Sequence, residues 1–148
     1  MSDYKGCLAT LGVLFASVFV IIAGLYVYYE WIWEEWPTER IERVTGVRVP
    51  EYRIVECERG KRFFNGDYTD WYIIEFETMP SDGLFDEIDG IIAADSSSWS
   101  KEGDCYHFST MWGNGLPVPE GENDEDDGTF SITLTRGEKK ATMSSGAW

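Results

Sequence analysis

Residues 7–29, CLATLGVLFASVFVIIAGLYVYY, contain no charged residue, proline, asparagine or glutamine. At about 1.5 Å per residue, a helix of about 23 residues spans roughly 34 Å, enough to cross a hydrocarbon core of about 30 Å. A cleaved signal peptide would have a shorter apolar region and small residues at its cleavage site, whereas this run ends in bulky LYVYY. A buried helix of a globular protein would carry a polar stripe. The stretch therefore predicts one uncleaved transmembrane helix.

The C-terminal end of this helix is rich in aromatic residues, and aromatic rings with a polar edge collect at the level of the lipid headgroups. The members of this predicted membrane belt are Tyr26, Tyr28, Tyr29, Trp31, Trp33 and Trp36. We interpret residues 1–36 as an anchor in contact with the lipid bilayer. The count of lysine and arginine near the two ends does not favour an outer domain. The acidic residues directly after the span favour an outer domain. We therefore expect the domain on the periplasmic side of the inner membrane.

The rest of the chain is strongly acidic. The 148 residues include 12 Lys and Arg against 27 Asp and Glu, for a formal charge of −15. The first 29 residues contribute only Asp3 and Lys5, so this charge belongs to the part that follows the anchor. Such a surface repels the phosphates of nucleic acids and anionic headgroups, and nucleic acid is excluded as an expected partner. The charge favours solubility, cations or a basic protein partner.

Residues 37–50 are expected to form a short helical neck between the anchor and the domain. Pro37 suits the first turn of a helix because its missing N–H has no partner there. Ile41 and Val44 are three residues apart and face one way. Thr45-Gly46 closes the segment.

Residues 51–148 predict an acidic α+β domain. Strands are expected at residues 51–58 and 69–78, on either side of the hairpin signal Asn65-Gly66. A helix capped by Ser81 follows and runs through Ala94, and three further strands occupy residues 106–112, 129–135 and 139–145. We expect an antiparallel sheet of about five strands covered by one helix. The last strand is expected at the edge of the sheet, where two lysines would protect it.

Side-chain alternation predicts which face of each strand is buried. In residues 129–135, TFSITLT, the side chains of Phe130, Ile132 and Leu134 point one way, and threonine and serine point the other. Tyr106 and Phe108 likewise point inward. His107, the only histidine, therefore points to solvent.

No constellation of residues indicates catalysis. The sequence lacks the nucleophile elbow, the HExxH motif, the phosphate-binding loop and the dinucleotide fingerprint. We therefore predict that the protein is not an enzyme. An enzyme with an unrecognised site is the remaining alternative, for which Asp67, Asp70 and His107 are the residues to test.

Residues 120–129, EGENDEDDGT, contain six carboxylates, and oxygen ligands on a loop suit Ca²⁺. Asn123, Glu125 and Asp127 fall at the first, third and fifth positions of an EF-hand-like loop. The twelfth position is Leu134 instead of glutamate, so the segment is not an EF-hand. Either these three residues form a weak Ca²⁺ site or the segment is a solvated acidic loop. No other cofactor is expected.

Two cysteines, Cys57 and Cys105, lie in the domain. In an oxidising compartment they could form a disulfide that closes a loop of about 48 residues, which would stabilise the fold by about 4 kcal/mol. The alternative is two free thiols.

The stretches FNGDYTDWYIIEF and DDGTFSITLTRGEKK resemble a group of small, uncharacterised bacterial envelope proteins with one N-terminal span or lipid anchor. The resemblance implies an envelope location and brings no catalytic residues. We therefore predict a membrane-anchored, non-enzymatic domain that acts through contacts with a protein partner. The alternatives are an immunity-type inhibitor that binds a basic toxin and a weak Ca²⁺-binding module.

Overall fold

The computed structural model describes residues 2–31, 36–61, 67–94, 98–123 and 127–147; within the first helix it describes the side chains of residues 10 and 12–27. The helices are α1 Ser2–Trp31, α2 Thr38–Thr45 and α3 Asp82–Ala93. The strands are β1 Tyr52–Glu58, β2 Tyr68–Phe76, β3 Trp99–Glu102, β4 Cys105–Trp112, β5 Gly128–Thr135 and β6 Lys140–Ala147. The predicted Asn65-Gly66 turn lies outside the described residues.

The chain divides into two compact units, Met1–Glu35 and Trp36–Trp148. The first unit contains α1, a helix of 30 residues. Its described apolar side chains are largely exposed, and Phe19 has 73% of its surface exposed. Among the described residues, we found no helix with the length and hydropathy that a membrane crossing requires.

The second unit is an α+β domain with a six-stranded antiparallel sheet, so the predicted fold class of the domain is confirmed. The strand order is β1-β2-β6-β5-β4-β3. Strand β3 was not predicted from the sequence, because its four residues, WSKE, show no run of alternating apolar side chains.

The expectation that the last strand lies at the edge of the sheet is wrong. Strand β6 pairs with β2 on one side and with β5 on the other, and the edge strands are β1 and β3. Lys139 precedes this strand and Lys140 is its first residue, and the remaining residues of the strand, ATMSSGA, carry no charge. The position of a strand depends on distant pairing partners, which local charge does not reveal.

Helices α2 and α3 cover one face of the sheet, and a single hydrophobic cluster lies between them and the strands. The side chains predicted to point inward are buried in it: Tyr106, Phe108, Phe130, Ile132 and Leu134. Other strand residues also contribute to it: Tyr72, Ile74, Phe76 and Trp112. Phe85 of α3 packs on Tyr106 with ring centroids 5.0 Å apart. Ser81 caps α3 as predicted, since its hydroxyl oxygen accepts a hydrogen bond from the Leu84 N–H at 3.3 Å.

The segment expected to be a neck is part of this core, which corrects the boundary at residue 51. Ile41, Val47 and Val49 are buried, and the indole N–H of Trp99 donates to the carbonyl of Thr45 at 2.8 Å. The apolar side chains of α2 indicated one buried face, but the sequence does not show that this face packs against the sheet. The domain therefore begins at Trp36.

Tyr52 joins the start of the domain to β1, because its hydroxyl donates to the backbone carbonyl of Trp36. Burial raises the pKa of Tyr52 from 10.0 to about 12, with further contributions from Tyr72 and Glu51. An unfolded tyrosine ionises near pH 10 while the folded one keeps its proton, so the unfolded state binds fewer protons between pH 10 and 12. Stability from this group is therefore expected to fall as the pH rises through that window.

A difference titration at 295 nm between the wild type and Tyr52→Phe isolates this hydroxyl from the other tyrosines. We expect the difference signal to have its midpoint near pH 12. A midpoint near pH 10 would show that the hydroxyl is not buried against Trp36.

Candidate functional site

The face of the sheet that points away from α2 and α3 is exposed in the described part of the domain. We call it the open face and define it by the outward side chains of four adjacent strands: Trp71 and Ile73 on β2, Thr142 and Ser144 on β6, Ser131 and Thr133 on β5, and His107, Ser109 and Met111 on β4. These side chains are exposed or partly exposed. This uncovered surface, which extends over four strands, is available to a partner.

The centre of the open face is flat and hydroxylated. Ser131 and Ser144 are directly opposite each other, with 2.8 Å between their hydroxyl oxygens. His107 Nδ1 lies 2.9 Å from the hydroxyl of Thr133, and this histidine points to solvent as predicted. Short side chains that bond to one another leave a low, polar floor.

Two bulky apolar side chains stand on either side of this floor. Trp71 on β2 and Met111 on β4 each have 50% of their surface exposed. Strands β6 and β5 lie between them, so they are separated by roughly 14 Å across the strands, at ~4.8 Å per strand. Gly146 contributes to the floor between them and leaves no room for a side chain, because an added Cβ would collide with the carbonyl of Tyr68. Trp71 and Met111 are therefore the two large exposed apolar side chains that flank the polar centre of the open face.

The Trp71 side of the open face carries two carboxylates. Glu58 pairs with Trp71 and Glu56 with Ile73 in the β1–β2 register, so these four side chains share the open face. A cleft of about 240 Å³ is lined by these four residues and Thr142 among others. An exposed indole ring beside two carboxylates suits a lysine or arginine side chain, which can contact the ring face and the acids together.

The structure describes two of the three predicted Ca²⁺ ligands. Asn123 is exposed, and the Asp127 carboxylate accepts a hydrogen bond from the Asn114 side-chain amide at 3.2 Å. Glu125 lies outside the described residues. No group of three or more His, Cys, Asp or Glu side chains able to hold a metal occurs in the parts of the chain that the structure describes. The Ca²⁺ site stays a prediction.

The disulfide alternative is not formed, since no disulfide joins Cys57 and Cys105. Cys57 is on β1 and Cys105 on β4, with β2, β6 and β5 between them. Four strand spacings of ~4.8 Å separate these strands by about 19 Å, whereas a disulfide requires Cα atoms within about 7 Å. The disulfide alternative is corrected because the strand order separates the two cysteines.

Trp36 was placed wrongly in the membrane belt. Only 4% of its surface is exposed, its ring stacks on Phe130 with centroids 4.0 Å apart, and the Arg40 guanidinium lies 3.8 Å above its centroid. Its short distance from the span suggested the interface, but its ring fills the core of the domain. Of the other belt residues, Tyr26 is exposed, and the side chains of Tyr28, Tyr29, Trp31 and Trp33 lie outside the described set.

The residues proposed for a possible enzyme do not come together. Asp70 is buried on the helix-covered side of β2, where one carboxylate oxygen accepts a hydrogen bond from the Gly60 N–H at 3.1 Å. His107 is on the opposite face of the sheet and on a different strand. Asp67 directly precedes β2 and is partly exposed. The structure provides no proton-transfer pair between Asp70 and His107.

The exposure of Trp71 and Met111 on the same face of the sheet was not predicted from the sequence. The available signal was parity, since Trp71 alternates with the inward-facing Tyr72 and Ile74. The fact that β2 and β4 present their outward residues on either side of β6 and β5 was not accessible from local patterns.

We compared the chain with protein-family models, curated proteins and solved structures. None of them matches this chain. Its function is therefore inferred from the geometry and charge of the molecule.

Proposed function

We propose that the protein is a membrane-anchored, non-enzymatic domain that binds a basic protein through its open face. The observation that carries this proposal is the half-exposed Trp71 beside Glu56 and Glu58, in a chain of formal charge −15. Tryptophan and methionine are enriched at the centres of protein interfaces, and carboxylates steer a basic partner toward its site.

The anchor part of the proposal is supported by the sequence and by the exposure of apolar side chains on α1, although no helix among the described residues has the length and hydropathy of a membrane span. The uncharged run covers residues 7–29, and it lies within α1, Ser2–Trp31. The described apolar side chains, such as Phe15 and Phe19, are exposed, and an apolar surface of this extent needs a covering of lipid or protein. We propose one span in the bacterial inner membrane, with the domain on the periplasmic side.

A basic toxin is a specific case of the proposed partner. The acidic charge and the tether both suit an immunity-type inhibitor that neutralises such a toxin at the membrane. Co-expression with a candidate basic toxin would test this case, since protection that Trp71→Ala abolishes would support it.

Site-specific photo-crosslinking in membranes tests the proposed surface. A photo-reactive phenylalanine at position 71 or 111 of the full chain is expected to form an adduct with one basic protein. The matched control is position 79, because Met79 is equally exposed but precedes α3 and is not on the open face. Glu56→Gln combined with Glu58→Gln is expected to weaken the adduct at position 71. Equal adducts at positions 71 and 79, or an acidic partner, would contradict the proposal.

Alkaline carbonate extraction tests the anchor separately. The full chain is expected to stay in the membrane pellet, and Phe19→Asp combined with Val20→Asp is expected to release it because charged groups are costly inside the bilayer. Release of the wild-type chain into the supernatant would contradict the anchor without affecting the crosslinking result.

A further inference from the structure

A second concave site lies on the helix-covered side of the domain. It is a cavity of about 480 Å³ between the end of α2, α3, β4 and the segment of residues 117–119. Val44, Ile91, Phe108 and Val118 supply apolar walls, and Arg43 supplies a cation at the rim. The volume falls within the range of roughly 300–1,000 Å³ that small-molecule sites occupy. We call it the Arg43 pocket.

An ion pair between Arg40 and Glu122 holds one wall of this pocket in place. Arg43 is not part of this ion pair. The Arg40 guanidinium donates two hydrogen bonds to the Glu122 carboxylate, at 2.8 and 2.6 Å. This ion pair attaches the segment that follows residues 117–119 to α2. Arg40 also stacks on Trp36, so the wall is tied to the core before any ligand binds.

Gly121 brings the same segment against the Arg43 side chain. A Cβ at position 121 would lie 2.7 Å from Arg43 Nε, and the glycine has a φ of +81°, which side chains rarely adopt. The glycine therefore allows the guanidinium of Arg43 to lie directly beside the segment that forms the wall.

Arg43 differs from other arginines of this acidic domain in its charge partners. Arg40, Arg53 and Arg136 each pair with a carboxylate. Arg43 forms no ion pair with any residue that the structure describes. Glu42, its neighbour on α2, pairs with Arg48 at 3.9 Å. A guanidinium with free donors at the rim of an apolar pocket can bind a carboxylate through two parallel hydrogen bonds.

We propose that the Arg43 pocket binds a small organic acid with an apolar or aromatic body and one carboxylate. The apolar body occupies the space between Ile91, Phe108 and Val118, and the carboxylate pairs with the Arg43 guanidinium. This site is separate from the open face, so binding here does not depend on the function proposed above.

The test uses the purified full chain in lipid nanodiscs, with empty nanodiscs as the reference for partition into lipid. Two fluorinated probes of nearly equal shape, 4-(trifluoromethyl)phenylacetate and its neutral amide, are titrated and followed by ¹⁹F NMR. The carboxylate is expected to bind about tenfold more tightly than the amide because a charge-assisted pair adds to the same apolar contact. Equal affinities, or no binding above the empty nanodiscs, would overturn the proposal.

Variants of the pocket assign the binding to it. Arg43→Gln is expected to reduce the affinity for the carboxylate to that for the amide, whereas Arg48→Gln removes the same charge outside the pocket and is expected to change neither. Thr110→Phe fills the cavity and is expected to abolish binding of both probes, with circular dichroism as the check on folding. An Arg43→Gln protein that binds the carboxylate as tightly as the wild type would show that the ligand is bound elsewhere.

Discussion

Replacing Trp36 with alanine is expected to lower the free energy of unfolding of the domain by about 3–5 kcal/mol. The side chain is buried and stacks on Phe130, which is fully buried at the centre of the sheet. The Arg40 guanidinium also packs over the Trp36 ring. Truncation would leave a cavity between the start of the domain and β5. Denaturation of the full chain, followed by circular dichroism, measures the change.

The control for this variant is Tyr26→Ala, another aromatic residue of the predicted membrane belt. Its side chain is exposed on α1, so the unfolding of the domain is expected to change by less than about 0.5 kcal/mol. The belt interpretation makes the opposite prediction, in which both variants weaken membrane association and neither destabilises the domain. If Trp36→Ala had the same free energy of unfolding as the wild type, the result would support the belt interpretation of Trp36.

Replacing Arg40 with methionine is expected to destabilise the domain by about 3 kcal/mol, because it leaves a buried carboxylate without its partner. The side chains of Arg40 and Glu122 are only 18% and 7% exposed. Their two hydrogen bonds are the contact that holds the acidic segment on α2. Adding Glu122→Met to Arg40→Met removes the unpaired carboxylate as well, and the double variant is expected to recover most of the loss.

Arg53→Met is the matched control for this ion pair. The Arg53–Glu75 pair has the same 2.6 Å separation, but its side chains are 75% and 27% exposed. Exposed pairs contribute about 0–1 kcal/mol, so this variant is expected to be nearly neutral. Equal losses for Arg40→Met and Arg53→Met would show that the segment after residue 117 is not held by the buried pair.

The sequence by itself determined the features that depend on near neighbours. The alternation in residues 129–135 set the inward face of β5 because successive side chains of a strand point to opposite sides. Ser81 set the start of α3 because its hydroxyl oxygen accepts a bond from an N–H only three residues away. The composition likewise determined the acidity of the domain. None of these features needs knowledge of what lies across the fold.

Only the tertiary structure decided which elements meet. It placed β6 at the centre of the sheet, three strands between Cys57 and Cys105, and Trp36 against Phe130. It also brought Trp71 and Met111 to one face and joined Arg40 to Glu122 across 82 positions of the chain. These pairings are chosen by the burial of apolar surface and the satisfaction of polar groups over the whole domain. A local pattern predicts that a side chain is buried, but it does not identify the residue that covers it.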